Sequence, residues 1–247
     1  MGDARRTLAD YFELVDVAQD RLNGTNATDS RLRRITKHAV PVRFRGTARM
    51  LVTDAITPIQ RRKARRIQQE PPALRLHLGS GGQPKSGWLN VDLAGDPVEL
   101  VWDLAHGVPF EDARVDAIFH EHLLEHIPLR AGAGLLDECY RVLRPGGILR
   151  VGVPDAGALL ESYTGDGTYI GALHPDRPTR MLALQELFYW HRHTTMFDEE
   201  TLALLFRAAG FPEPSRRSFG ESDLDSAPDT ERRRAETLYM EARKPLA

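Results

Sequence analysis

Three short apolar runs between Leu74 and Asp103 constrain this chain more than any other feature. They read L-R-L-H-L-G-S-G-G, then G-W-L-N-V-D-L, then V-E-L-V-W-D-L. Leu74, Leu76 and Leu78 make a strand, and Gly79, Ser80, Gly81 and Gly82 make the turn that follows it. An acidic residue, Asp92 or Asp103, closes each of the next two strands. Glycines let a backbone approach a ligand with no Cβ in the way, and strand-end carboxylates catch hydroxyls, so the pattern is that of the ligand-binding edge of an open α/β sheet.

The pattern departs from a dinucleotide fingerprint, which expects a third glycine, a full helix and an acidic residue about twenty positions on. Here Asp92 comes thirteen residues after Gly79, and Gln83-Pro84-Lys85-Ser86-Gly87 stops any helix at once. Pyrophosphate rests on the N-terminus of such a helix. Its truncation argues against a nicotinamide cofactor and leaves room for one without phosphate.

In its motifs the chain resembles the class I S-adenosylmethionine-dependent methyltransferases, nearest to the methyltransferase type 11 group, from about Leu74 to Asp155. L-H-L-G-S-G-G is similar to the family's first strand and loop, and N-V-D to its ribose-binding strand end. W-D-L, V-P-F-E-D-A-R-V-D-A-I-F, H-L-L-E-H-I and R-V-L-R-P-G-G-I-L-R-V-G-V-P-D complete the order. The resemblance implies S-adenosylmethionine as cofactor and a doubly wound, Rossmann-like sheet of seven strands whose last pair is antiparallel. It further implies that Gly79, Ser80 and Gly81 pass close to the cofactor, with Asp92 and Leu93 at the ribose, Asp103 and Leu104 beside the adenine, and His120 against the cofactor. Two positions depart from the pattern: His77 stands where many members carry an acid, and Gln83 where the loop's last glycine falls.

With 247 residues, 41 % of them hydrophobic, the chain can bury one sizeable core. The domain reading is a helical basic extension over 1–70 and the Rossmann-like domain over 71–247, divided at Glu70-Pro71-Pro72. Leu8, Tyr11, Phe12, Leu14, Val15 and Ala18 recur at helical spacing; a second run from Gly46 to Gln69 is interrupted by Pro58, which predicts a kink or two helices. From Arg31 to Arg66 twelve Lys or Arg stand against one acid, Asp54, a local +11 in a chain whose total is −2. Such a stretch suits an anionic surface or acceptor; with Phe44 its one aromatic residue, nucleic acid is not expected. The extension is read as a lid, a pairing surface for a second copy, or a peripheral contact with an anionic surface. A lone cysteine, Cys139, and the lack of a signal-peptide or membrane-span pattern give a cytoplasmic expectation.

Further along, Val115 to Phe119 and Gly147 to Val153 read as strands, Leu135 to Leu143 as helix, and Asp198 as a helix cap with Glu199 and Glu200 in the first turn and Gly210 at the end. Phe211 to Ser218 and Thr237 to Arg243 are the last two strands.

The most chemically loaded stretch is His120-Glu121-His122-Leu123-Leu124-Glu125-His126. His122, Glu125 and His126 fit H-x-x-E-H, which on a helix places two imidazoles on one face as zinc ligands. That makes a zinc hydrolase the rival in form, but no downstream third ligand stands out, and no metal is assigned. On the methyltransferase reading His122 is the candidate base, because histidine takes a proton near neutral pH. Asp155 is expected to orient it or bind an acceptor hydroxyl, and His126 to be structural. His174, His191 and His193 form a second cluster, from which His193 is drawn as a substrate contact. Gly165 to Pro178 reads as a mobile loop over the site, and Tyr163, Tyr169, Phe188, Tyr189 and Trp190 as pocket lining. The function expected is methyl transfer to oxygen or nitrogen of a small-molecule or glycan acceptor. Other S-adenosylmethionine chemistry on the same fold (cyclisation, elimination or decarboxylation) and a binding protein with a degenerate site are the alternatives.

Overall fold

The computed structural model of the protein describes residues 45–69, 73–93, 98–189 and 191–246, together with Asp10 and Glu13. The first helical run and the basic residues before Arg45 lie outside the described residues.

Seven strands form one sheet: β1 (Arg75–Leu78), β2 (Leu89–Asp92), β3 (Leu100–Val101), β4 (Val115–Glu121), β5 (Leu143–Pro154), β6 (Ser215–Arg217) and β7 (Thr237–Arg243), in the spatial order β3-β2-β1-β4-β5-β7-β6. Strands β1 to β5 pair in parallel, whereas β7 runs antiparallel to both β5 and β6. The doubly wound seven-stranded arrangement expected from the motifs is therefore the observed one. Val115, Ala117, Ile118, Phe119, Leu149, Val151 and Val153 are all buried, as central parallel strands covered on both faces must be.

Helix α1 (Arg45–Ile67) precedes the sheet and runs unbroken through Pro58. It packs against the sheet: Ala64 is buried in the main core, Gln60 Oε1 accepts from Val101 N at 3.3 Å, and Lys63 donates to the Glu99 carbonyl. Arg61, Arg62, Lys63, Arg65 and Arg66 remain exposed around this contact. Helix α2 (Leu129–Val142) packs Leu135, Leu136, Cys139 and Val142 inward, so Cys139 is a packing residue whose thiol burial pushes well up. On its outer side Arg141 pairs with Glu138 and donates to the carbonyls of Val108 and Phe110, which ties down the connection between β3 and β4.

After β5 come α3 (Ala156–Thr164), α4 (Thr168–Leu173) and α5 (Arg180–Tyr189), which share a small second core of Leu159, Ile170, Ala183 and Leu187. The stretch expected as a mobile loop thus contains α4, anchored by Ile170. Helix α6 (Glu199–Ala208) starts as expected, with Asp198 accepting from Thr201 N at 2.8 Å, and Gly210 follows it at φ +104°. Among the described residues no helix is long and apolar enough to cross a membrane.

Strand order reverses between β1 and β4, whose neighbours run away in opposite directions along the sheet. The carboxyl ends of β1, β2, β4 and β5 open there onto one cavity, the position open α/β sheets use for ligands.

Candidate active site

The cavity has a volume of about 700 Å³, enough for a nucleoside-sized ligand and a small second molecule. Its first wall is the turn after β1. Gly79 (φ +65°) and Gly81 (φ +50°) occupy the left-handed region that disfavours side chains. A Cβ on Gly81 would meet nothing within 4 Å, so the loop presents bare backbone to the cavity. Asp92, at the end of β2, holds the loop by accepting from Gly81 N at 2.6 Å and lines the same wall. His77, where an acid was the family norm, joins its Nδ1 to Asn90 Oδ1 at 2.9 Å and stacks on Phe119; burial lowers its pKa to about 4. A neutral imidazole–amide pair thus does the structural work at that position. Gly79, Ser80, Gly81 and Asp92 are brought together as the motif implied, and a glycine loop open to the cavity with a carboxylate beside it fits an adenosyl ligand.

Four other residues placed at the cofactor by the resemblance are not among the described lining residues. Asp103 caps the turn Leu104–His106, accepting from Ala105 N at 2.9 Å, and Leu104 packs on the core. Leu93 lies just past β2 and does not reach the cavity. His120 is fully enclosed in β4, neither ring nitrogen has a hydrogen-bond partner, and burial lowers its pKa to about 3. The cavity edge is lined instead by Glu121, the last residue of β4, and by His122, which follows it.

The second wall is rich in histidine. His122 follows β4 at φ +53°, an uncommon conformation for a residue with a side chain, and its N–H is held by the Gly152 carbonyl at 2.9 Å. The chain then makes only a short 3₁₀ turn, Leu124–His126, so the helical face implied by H-x-x-E-H does not form. Thr237 Oγ1 donates to the Arg233 carbonyl at 2.8 Å; with that proton committed, it accepts from His122 Nε2 at 2.9 Å. The lone pair of His122 is then on Nδ1, which lies 3.6 Å from Glu125 Oε1. Burial first, and Arg233 next, depress the His122 pKa well below the ordinary value. Burial raises that of Glu125 to about 8.

His193 enters this wall from the loop before α6 and lines the cavity, stacked on His191 and edge-on to His126. Asp155 is occupied elsewhere and is not among the cavity-lining residues. Its Oδ1 accepts from Ala158 N at 3.0 Å as the cap of α3, and its Oδ2 accepts from Arg216 at 2.8 Å. Both oxygens are thus engaged, and of that strand end only Pro154 lines the cavity. The aromatic lining is also revised. Tyr163 and Tyr169 pack on the second core, Phe188 is exposed, and the Tyr189 side chain and Trp190 lie outside the described residues; Leu173 and Leu187 line the cavity in their place.

Several lining residues carried no local signal. Thr230, Arg232, Arg233 and Glu236 come from the segment before β7. Arg233 donates to the Glu121 carbonyl at 3.0 Å, and Glu121 accepts from Tyr239 Oη at 2.6 Å and Thr230 N at 3.1 Å. In sequence these residues sit in an ordinary charged run; their role follows from the antiparallel return of β7 beside β5.

Residues 86–151 match the family of methyltransferase domains. A probable S-adenosylmethionine-dependent methyltransferase from Mycolicibacterium smegmatis is 32 % identical over 122 residues, 48 % of this chain and 44 % of the relative. The match thus spans under half the length of that relative. Among solved structures, a SAM-dependent methyltransferase from Archaeoglobus fulgidus is 16 % identical over 79 % of this chain and 94 % of the other, with a TM-score of 0.43. A Haemonchus contortus phosphoethanolamine N-methyltransferase in complex with S-adenosyl-L-methionine is 16 % identical over 75 % of this chain and 52 % of the other, with a TM-score of 0.45.

Proposed function

We propose that this chain, which matches a methyltransferase domain over residues 86–151 and is similar to a probable S-adenosylmethionine-dependent methyltransferase over 122 residues, is itself such an enzyme and transfers a methyl group to oxygen or nitrogen of a small-molecule or glycan acceptor. The observation that carries this reading is one cavity with two unlike walls, bare glycine backbone with Asp92 on one side and imidazoles on the other.

S-adenosylmethionine supplies a methyl on a sulfonium, a leaving group that needs no acid. The chain's own contribution is then alignment and, where the acceptor carries a proton, its removal. Gly79, Ser80, Gly81 and Asp92 are the residues that would hold the adenosyl group. His122 is the base in this reading. It is neutral at neutral pH because burial depresses its pKa, Thr237 fixes its tautomer, and Glu236 lies 4.0 Å from its Nε2. Arg232 and Arg233 in the lining favour an acceptor bearing carboxylate or phosphate. The exposed arginines of α1 are not lining residues.

The test is incubation of the purified chain with methyl-labelled S-adenosylmethionine and a panel of carboxylated and phosphorylated hydroxy and amino compounds. The reading expects S-adenosylhomocysteine and a product in which a methyl has replaced the acceptor proton, a net gain of one CH2. Consumption of the cofactor with no methylated product would replace methylation by other chemistry of the same cofactor.

A further inference from the structure

Glu125 has a surrounding that acceptor binding does not explain. Its side chain is 1 % exposed, and neither carboxyl oxygen has a hydrogen-bond partner. A carboxylate in that state is costly unless something cationic meets it. Turned toward Oε1 are His126 Nε2 and His193 Nε2, each at 3.9 Å, and the three ligand atoms lie within 4.8 Å of one another.

We propose that Glu125, His126 and His193 form a binding site for a divalent transition-metal ion of the zinc or iron kind at the histidine wall. Two imidazoles and one carboxylate are a donor set that such ions take, with remaining positions open to water or substrate. Bonds of about 2.0–2.1 Å to one tetrahedral ion would set the donors roughly 3.3 Å apart, so the two 3.9 Å separations from Glu125 would close by about 0.6 Å and the widest pair, within 4.8 Å, by up to about 1.5 Å as the side chains turn onto the ion.

The two segments that carry the ligands are fastened together independently of any ion. The Glu125 carbonyl accepts from Thr194 N at 2.8 Å and Thr195 N at 3.2 Å, and Thr195 Oγ1 donates to the Ile127 carbonyl at 3.2 Å. The backbone of Arg192 hydrogen-bonds the His126 ring, the kind of outer contact that orients a metal-binding imidazole. His126 and His193 line the cavity while Glu125 does not, so the carboxylate would anchor the ion from behind and the open positions would face the acceptor space. There an ion would polarise an acceptor oxygen beside His122. A second cluster, Asp54, Asp103 and His106, lies outside the cavity lining and has no comparably buried member. It serves as the internal control.

The test uses the full chain, stripped with chelator and dialysed, with no cofactor or acceptor present, so its failure leaves the methyltransferase reading standing. Co²⁺ is titrated with visible d–d absorption as the readout; Zn²⁺ is then added in competition. Metal content after expression, by elemental analysis, tells zinc from iron. The inference expects one Co²⁺ per chain, displaced by Zn²⁺, with affinity reduced at least tenfold in His126→Ala and His193→Ala and unchanged in His106→Ala. His126 is partly exposed, so His126→Ala keeps the test open should the buried variant not fold. Absence of stoichiometric binding, or binding lost in His106→Ala and kept in His126→Ala, overturns the assignment.

Discussion

The two walls of the cavity are built in opposite ways. The glycine wall comes from one stretch of chain, Gly79 to Asp92, closed by local bonds such as the 2.6 Å one from Gly81 N to Asp92 and the 2.9 Å one from Gly79 N to the Val91 carbonyl. The histidine wall takes residues from after β4, from before α6 and from before β7, up to about 115 positions apart, as in the pairing of His122 with Thr237. A wall made locally is set by turn chemistry; one made at long range stands only while the tertiary structure does. The difference predicts that mutations remote from the cavity damage the second wall and spare the first.

The largest expected effect tests this directly. Arg150, fully buried in β5, makes two 2.7 Å bonds to Asp229 and one of 3.1 Å to Glu241, and it donates to the carbonyls of Glu221 and Ser218. It thereby fastens the segment that delivers Thr230 and Arg233. Arg150→Met leaves two buried carboxylates without their partner, and we expect a loss of about 3–5 kcal/mol in chemical denaturation. Where the variant still folds, turnover falls further than cofactor affinity.

Next in size is the acid response. His77, His120 and His193 have folded pKa values depressed by burial to about 4, 3 and 3, below the 6.5 of an unfolded histidine. Below pH 6.5 the unfolded chain binds more protons than the native one. The stability these neutral histidines allow is present above 6.5 and lost as pH falls toward 4, at roughly 1 kcal/mol per pH unit for each. Glu125 has the opposite sign: its pKa, raised to about 8, is above the unfolded value, so its contribution is present below 4.5 and lost as pH rises through 8. Thermal melts of chelator-treated protein from pH 8.5 to 5 should show a maximum between these limits; a curve still rising at pH 5 contradicts the neutral-histidine account.

His122→Asn should reduce turnover about a hundredfold, the lower range for loss of a general base, while cofactor affinity changes less than twofold. Asp92→Ala does the reverse: it removes a charged acceptor at the glycine wall, for about 2 kcal/mol, read as roughly thirtyfold weaker cofactor binding with folding kept. Equal loss of binding in both variants would erase the division between the walls. The smallest effect belongs to Asp155→Ala, which loses a helix cap and an ion pair: about 1 kcal/mol in stability and no change in cofactor affinity.

How much of this was legible in the sequence follows the same division. The glycine loop, Asp92, the parallel strands, the Asp198 cap and the span of β7 all rest on neighbours in the chain, and the residues that announce them are the residues that form them. The surroundings of Asp155 were not legible, because a strand-end aspartate looks the same whether it faces a cavity or caps the next helix; its partner Arg216 is 61 positions away. A motif match likewise does not say how deep in its strand a residue lies: His120 is fully enclosed in β4, while Glu121 and His122 beyond it line the cavity. H-x-x-E-H promised a helical face, but the positive φ of His122 and the short 3₁₀ turn after it do not form one, and Glu125 and His126 come together with the distant His193 instead. Arg232, Arg233 and Glu236 had no local signature at all.

The central claim is that the glycine wall holds an adenosyl cofactor. Calorimetric titration of the purified chain with S-adenosylhomocysteine, with NAD as the control, tests it most directly. The account predicts one site per chain with micromolar affinity, weakened in Asp92→Ala and retained in His122→Asn, and no heat from NAD. Absence of binding to the wild-type chain, or affinity unmoved by Asp92→Ala, would contradict it.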